Sequence, residues 1–236
     1  MDDRTQDGPE NGIMYQGRLD IVSDAICPWC YIGKRQLERA LPILAQEGLR
    51  FSVHWNPFQL NPEMPREGVD RRAYRMAKFG SWERSQELDA RVAEAASAVG
   101  LTFHLDRLER TPNTVDAHRL VWLAGEAGVQ DAVMEAVFRA YFTEGGDLGD
   151  RQLLADCAAA AGMQRDAVLG FLAGEELELE VRDADRVARE AGVNGVPSFF
   201  LDGYGLFSGA LPAEQIAAAL SRAYAVLAKQ RGNEAA

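Results

Sequence analysis

The chain has 236 residues, 47% of them apolar and 26% charged, which rules out disorder throughout and suffices to bury a core without disulfide staples. Lys and Arg number 25 against 36 Asp and Glu, so the net charge is -11 and the pI is near 4.8. An acidic chain of this kind is a poor nonspecific partner for nucleic acid or an anionic membrane surface, and no apolar run approaches the roughly 18 residues of a membrane-spanning helix.

Residues 1–15 are acidic and polar where a signal peptide needs a basic start and an apolar stretch, and are read as a disordered tail on a cytoplasmic protein. Residues 19–24 alternate apolar and polar and predict a strand. From Pro28 the period becomes helical through Tyr31, Leu37, Leu41 and Leu44, with Pro42 expected to kink the helix and Gly48 to end it. A second strand is predicted over 50–55, with Phe51, Val53 and Trp55 on one face and His54 on the other. Residues 56–62 are too rich in proline to extend it. Strand, helix, strand suggests a parallel βαβ unit.

Between 71 and 189 no strand is predicted. The whole of it reads as helical stretches broken by Gly or Pro, for example 81–99, 113–125, 131–142, 150–161 and 175–191, and Thr111-Pro112 is read as a helix cap followed by proline at the first helical position. Strand character returns at 197–201, and Asp202-Gly203 leads to 206–208 as a hairpin. A last helix is predicted over 212–229, with a frayed tail from Gly232. The expected organisation is one α/β domain built from 16–62 and 190–232, interrupted by a helical insertion over 63–189.

Three cysteines make no disulfide framework, but two of them form Cys27-Pro-Trp-Cys30 directly after the first strand and at the opening of the first helix. Unpaired backbone donors and the positive end of the helix dipole stabilise a thiolate on Cys27, the nucleophile that attacks a disulfide. Cys30, one turn on, is placed to attack back and release product. Pro28 suits the first helical position, where a missing N–H costs nothing. A zinc site would need about four ligands. Cys157, His54, His104 and His118 are scattered and no second Cys-x-x-Cys exists, so no metal is assigned. Cys157, on an alanine-rich stretch beside Leu153, Leu154 and Ala161, reads as a buried apolar thiol. Asp24 has two open roles: influencing the Cys27 proton, or bonding backbone N–H groups ahead of the helix.

Asp24-Ala-Ile-Cys-Pro-Trp-Cys-Tyr-Ile-Gly33, together with Gly195-Val-Pro-Ser-Phe199, resembles the DsbA-like thioredoxin superfamily, and within it the FrnE-like branch. The resemblance spans about residues 17–230 and implies an α/β thioredoxin fold interrupted by an all-helical insertion domain. It implies a cis Val196-Pro197 bond beside the cysteines, with Pro28, Trp29, Val196 and Pro197 shaping a substrate groove and the Val196 backbone pairing with an extended substrate. Asn113-Thr114, followed by Ala117-His118-Arg119, is similar to a family helix start that faces the groove; the alternative is a capping Asn and a surface Arg. Some FrnE-like proteins carry a second cysteine pair, but this chain offers only Cys157, so no two-centre relay is expected.

The implied activity is thiol–disulfide exchange on protein or small-molecule substrates. No cofactor is implied, although glutathione would serve as a redox partner. The alternative is a glutathione-dependent isomerase or transferase, as in the 2-hydroxychromene-2-carboxylate isomerases and kappa-class glutathione transferases. Those relatives usually carry Ser in place of the first cysteine and lack the second, so the intact pair favours redox work. A third class, an acidic noncatalytic scaffold, would need an exposed apolar patch.

Overall fold

The computed structural model describes residues 15–234. Except for Tyr15, the tail expected over 1–15 lies outside the described residues. Strand β1 (Tyr15–Ser23) opens earlier than the alternation suggests, and its buried Leu19 and Ile21 face the core. Helix α1 (Pro28–Gln46) runs unbroken through Pro42, and Gly48 follows its end at φ 77°, the left-handed conformation that glycine adopts without strain.

Strand β2 (Leu49–Pro57) pairs parallel with β1, Leu19 opposite Val53, which completes the predicted βαβ unit. It continues through Asn56 and Pro57, where the proline-rich sequence is expected to end it. Proline is tolerated there because β2 is an edge strand, bonded on one side only.

The segment that follows is mostly helical. Strand β3 (Val69–Asp70) leads into α2 (Arg71–Phe79), which Asp70 caps, and then into α3 (Trp82–Ala98), which Ser81 caps. Strand β4 (Arg110–Thr111) pairs antiparallel with β3. This two-residue ladder corrects two expectations. Residues 71–189 do contain a strand, and Thr111 is part of it rather than the cap of the next helix. Helix α4 (Val115–Glu126) begins four residues later, where the Val115 N–H donates to Asn113 Oδ1 at 2.9 Å.

Helix α5 (Gln130–Phe138) runs into a π-type turn over Arg139–Thr143, and α6 (Arg151–Ala160) is capped by Asp150. Helices α7 (Arg165–Ala173) and α8 (Glu178–Glu190) complete the segment. Helices α2 and α7 also lie in the region expected to be helical, outside the ranges given as examples.

Strands β5 (Ser198–Leu201) and β6 (Tyr204–Ser208) form the predicted hairpin. Asp202 and Gly203 both take positive φ, 48° and 85°, the turn that matches strand twist. The sheet order is β2-β1-β5-β6, with β5 antiparallel to β1. Helix α9 (Ala213–Glu234) packs on α1 and continues past Gly232, where a frayed tail is expected. One apolar core runs from Leu19, Leu37 and Leu44 into Leu120, Phe138 and Leu172, so the sheet and the helical segment share an interior. At their junction the Tyr31 ring stacks on Phe138 at 5.0 Å and on Phe103 at 5.8 Å.

Candidate active site

Cys27 caps α1 at its N-terminus, Pro28 is the first helical residue and no side chain bonds the cap, so the thiol stands at the positive end of the helix dipole. The loop is tightened by the Cys27 N–H on the Asp24 carbonyl and the Cys30 N–H on the Cys27 carbonyl, both at 3.0 Å. The Cys27 thiol donates to the Val196 carbonyl at 3.5 Å, across the cis Val196-Pro197 bond that the resemblance implied. Gly33, one turn beyond Cys30, is where Pro197 packs: a Cβ there would stand 3.0 Å from Pro197 Cγ.

The two thiols sit in different surroundings. Cys27 lines a cavity of about 530 Å³ together with Pro28, Val196 and Trp29, which is 42% exposed. Cys30 is fully buried beneath. Burial, and then the neighbouring Cys27, push the Cys30 thiol well above its ordinary range, while the Ser23 hydroxyl and the Asp24 backbone pull weakly the other way. Cys30 is thus held protonated in the resting dithiol.

Asp24 is completely buried and accepts the Leu60 N–H at 2.7 Å, which ties the loop before Cys27 to the segment after β2. Its other oxygen lies 3.2 Å from His118 Nε2, which is also 3.1 Å from the Phe58 carbonyl. A carbonyl only accepts, so Nε2 carries the proton. Asp24 therefore bonds a backbone N–H in a distant segment, not one in the helix that follows it.

Within the stretch implied to face the groove, only His118 reaches the active-site loop. Asn113 bonds the Met64 carbonyl and the Val115 N–H, and Thr114 is buried at the start of α4. Arg119 is neither a surface residue nor near the thiols. It is fully buried, donates to the carbonyls of Phe171, Gly174 and Glu176, and pairs with Asp116. Cys157 is buried in α6, its thiol pushed up to about 11 by burial, and His54 lies on β2.

The far wall of the cavity was not legible in the sequence. It is formed by Asn61, Arg71, Tyr74, Arg75, Thr111 and Tyr141, drawn from separate segments. Among the described residues no group of three or more His, Cys, Asp and Glu side chains is placed to hold a metal ion, and no helix is long and apolar enough to cross a membrane.

The family model of the DSBA-like thioredoxin domain matches residues 18–221. This chain belongs to the DsbA-like family. A probable DsbA oxidoreductase from Streptomyces coelicolor is 34% identical to the DsbA-like chain, with a TM-score of 0.79 over 89% of this chain and 90% of that one. The uncharacterized protein YwbO of Bacillus subtilis is 26% identical over 184 residues, 78% of this chain and 86% of its own length. A 2-hydroxychromene-2-carboxylate isomerase structure is similar in fold, with 20% identity and a TM-score of 0.63 over 92% of this chain and 98% of that one. The DsbA-like fold here is a thioredoxin fold carrying a helical insertion.

Proposed function

We propose that this DsbA-like chain is a cytoplasmic thiol–disulfide oxidoreductase in which Cys27 attacks and Cys30 resolves. The Cys27 thiolate attacks one sulfur of a substrate disulfide, and the other sulfur leaves as a thiolate that takes up a proton. Cys30 then gives up its proton and attacks Cys27 Sγ. The second substrate thiol is released and a Cys27–Cys30 disulfide remains. Two electrons pass from the dithiol to the substrate, and the reverse sequence oxidises a substrate dithiol.

The observation that carries this reading is the asymmetry of the pair. Cys27 sits at a helix start and lines a cavity, whereas Cys30 is sealed beneath with its proton retained. A thiol kept protonated does not compete for the incoming disulfide and acts only once the mixed disulfide has formed. In this reading Pro28, Trp29, Val196 and Pro197 shape the groove, while Asp24 and His118 hold the loop that presents Cys27. Protein and small-molecule disulfides or thiols are the partners, with glutathione among the redox partners.

The test is a Cys30→Ala variant exposed to 2-hydroxyethyl disulfide and examined by mass spectrometry. A stable adduct on Cys27 that the parent protein does not accumulate is the expected result. Absence of any adduct overturns the proposal. Isomerase or conjugating activity with glutathione that survives Cys30→Ala would favour the isomerase reading instead.

A further inference from the structure

We infer that the cavity beside Cys27 contains a carboxylate subsite formed by Asn61, Arg71 and Thr111, and that the preferred partner of Cys27 is a small disulfide or thiol bearing a carboxylate. This rests on the reading that Cys27 exchanges with disulfides. Among the described residues five buried side-chain polar atoms have no hydrogen-bond partner, and three of them belong to residues that line this one cavity: Asn61 Nδ2, Arg71 Nε and Thr111 Oγ1. A buried donor left unpaired is costly, so three in a single wall form a place that gains by receiving an acceptor. Two are N–H donors and the third is a hydroxyl able to donate. A carboxylate, which only accepts and does so at both oxygens, matches that set.

The wall is built rather than incidental. The Lys78 ammonium donates to the Tyr74 hydroxyl at 2.7 Å, so the hydroxyl hydrogen goes to Asn61 Oδ1 at 2.5 Å and Nδ2 is left without an acceptor. Arg71 is 7% exposed. One arm of its guanidinium is taken by Asp89 at 3.0 Å, which fixes the plane and leaves Nε over. The β3–β4 ladder brings Thr111 beside it, and this close pairing requires Gly68. A Cβ at Gly68 would stand 2.6 Å from the Thr111 carbonyl, and its φ is +67°.

The charge agrees. Four cations line the cavity against one carboxylate, Asp89, in a chain whose net charge is -11. Its 530 Å³ falls within the roughly 300–1,000 Å³ usual for small-molecule sites.

The experiment compares the oxidation rates of the reduced, full-length protein by three disulfides of similar size. These are 3,3′-dithiodipropionate, neutral 2-hydroxyethyl disulfide and dicationic cystamine, each rate divided by that of the same disulfide with a free dithiol. Trp29 fluorescence follows the reaction. The dicarboxylate is expected to be preferred over the neutral compound by about tenfold or more, as hydrogen bonds to a charged group imply. Thr111→Val, which keeps the side chain's shape, and Arg71→Lys, which keeps its charge, should each lower that ratio at least several-fold. Should Arg71→Lys fail to fold, Thr111→Val alone decides. Equal normalised rates for all three compounds, or a preference that survives Thr111→Val, refute the subsite while leaving exchange at Cys27 intact. If none of the three reacts, the exchange reading itself falls and the subsite falls with it.

Discussion

Replacing Asp24 by Asn changes one oxygen and one charge in a fully buried site, and the consequence follows from the contacts. One carboxylate oxygen accepts the Leu60 N–H at 2.7 Å and the other faces the protonated His118 Nε2 at 3.2 Å. An amide can satisfy only one of these donors. If its oxygen stays on Leu60, the NH₂ group confronts an N–H. If the ring shifts its proton to avoid this, the Phe58 carbonyl at 3.1 Å loses its donor.

Every arrangement therefore loses a hydrogen bond to a charged group, worth about 1.5–3 kcal/mol, and leaves a buried polar group unpaired at about 1–3 kcal/mol more. The expected destabilisation is about 3–5 kcal/mol, or roughly 6–20 °C in Tm for a chain of this length. Urea unfolding followed by tryptophan fluorescence measures it, and a double-mutant cycle with His118→Phe isolates the pair. The coupling should exceed about 1 kcal/mol, whereas groups that do not interact add within about 0.5 kcal/mol. A loss for Asp24→Asn below about 1 kcal/mol, or additive single variants, would show that this contact does not hold the loop.

Gly33→Ala should not yield the roughly 1 kcal/mol that alanine gains over glycine inside a helix, because the new Cβ meets Pro197 Cγ at 3.0 Å. Chemical unfolding and the rate of disulfide exchange at Cys27 check this together; a full gain with an unchanged rate would show that Pro197 gives way freely. Cys157, raised by burial from an ordinary 9.0 to about 11, predicts an alkaline loss of stability. Below pH 9 the thiol is protonated in both folded and unfolded chains and contributes nothing. Between pH 9 and 11 only the unfolded chain releases its proton, so stability falls by about 2–3 kcal/mol as pH rises. The difference between the parent protein and Cys157→Ala, titrated with urea at pH 8 and pH 11, should show that loss disappear in the variant.

Local patterns were readable wherever a period or a turn signature exists. The alternation in β1, the apolar spacing of α1 and the Asp202-Gly203 turn each point to the element found. Helix α2 was not delimited because it is only nine residues long and its one buried side chain is the charged Arg71. The β3–β4 ladder escaped because two residues have no period. The site divides in the same way. The cysteines and Pro197 carry local motifs, whereas the opposite wall joins Asn61, Arg71, Thr111 and Tyr141 through tertiary packing. The Asp24–His118 contact spans 94 residues. Arg119 could not be recognised as buried because its three carbonyl partners lie on another helix end, more than 50 residues away.

The stacking of Tyr31 bears on how far this chemistry can be transplanted. Its ring follows Cys30 directly and is gripped by Phe103, Phe138 and Phe142, while neighbouring Lys34, 2% exposed, rests on Glu38, Asp131 and Glu135. Trimming the chain to a minimal thioredoxin-like module by joining residue 62 to residue 190 would strip this grip from the helix that bears both thiols. It would leave an aromatic ring bare and remove two of the three carboxylates around a cation withdrawn from water. The helical segment acts as a splint for the reactive helix, and a graft of the dithiol into another scaffold would have to bring that splint along.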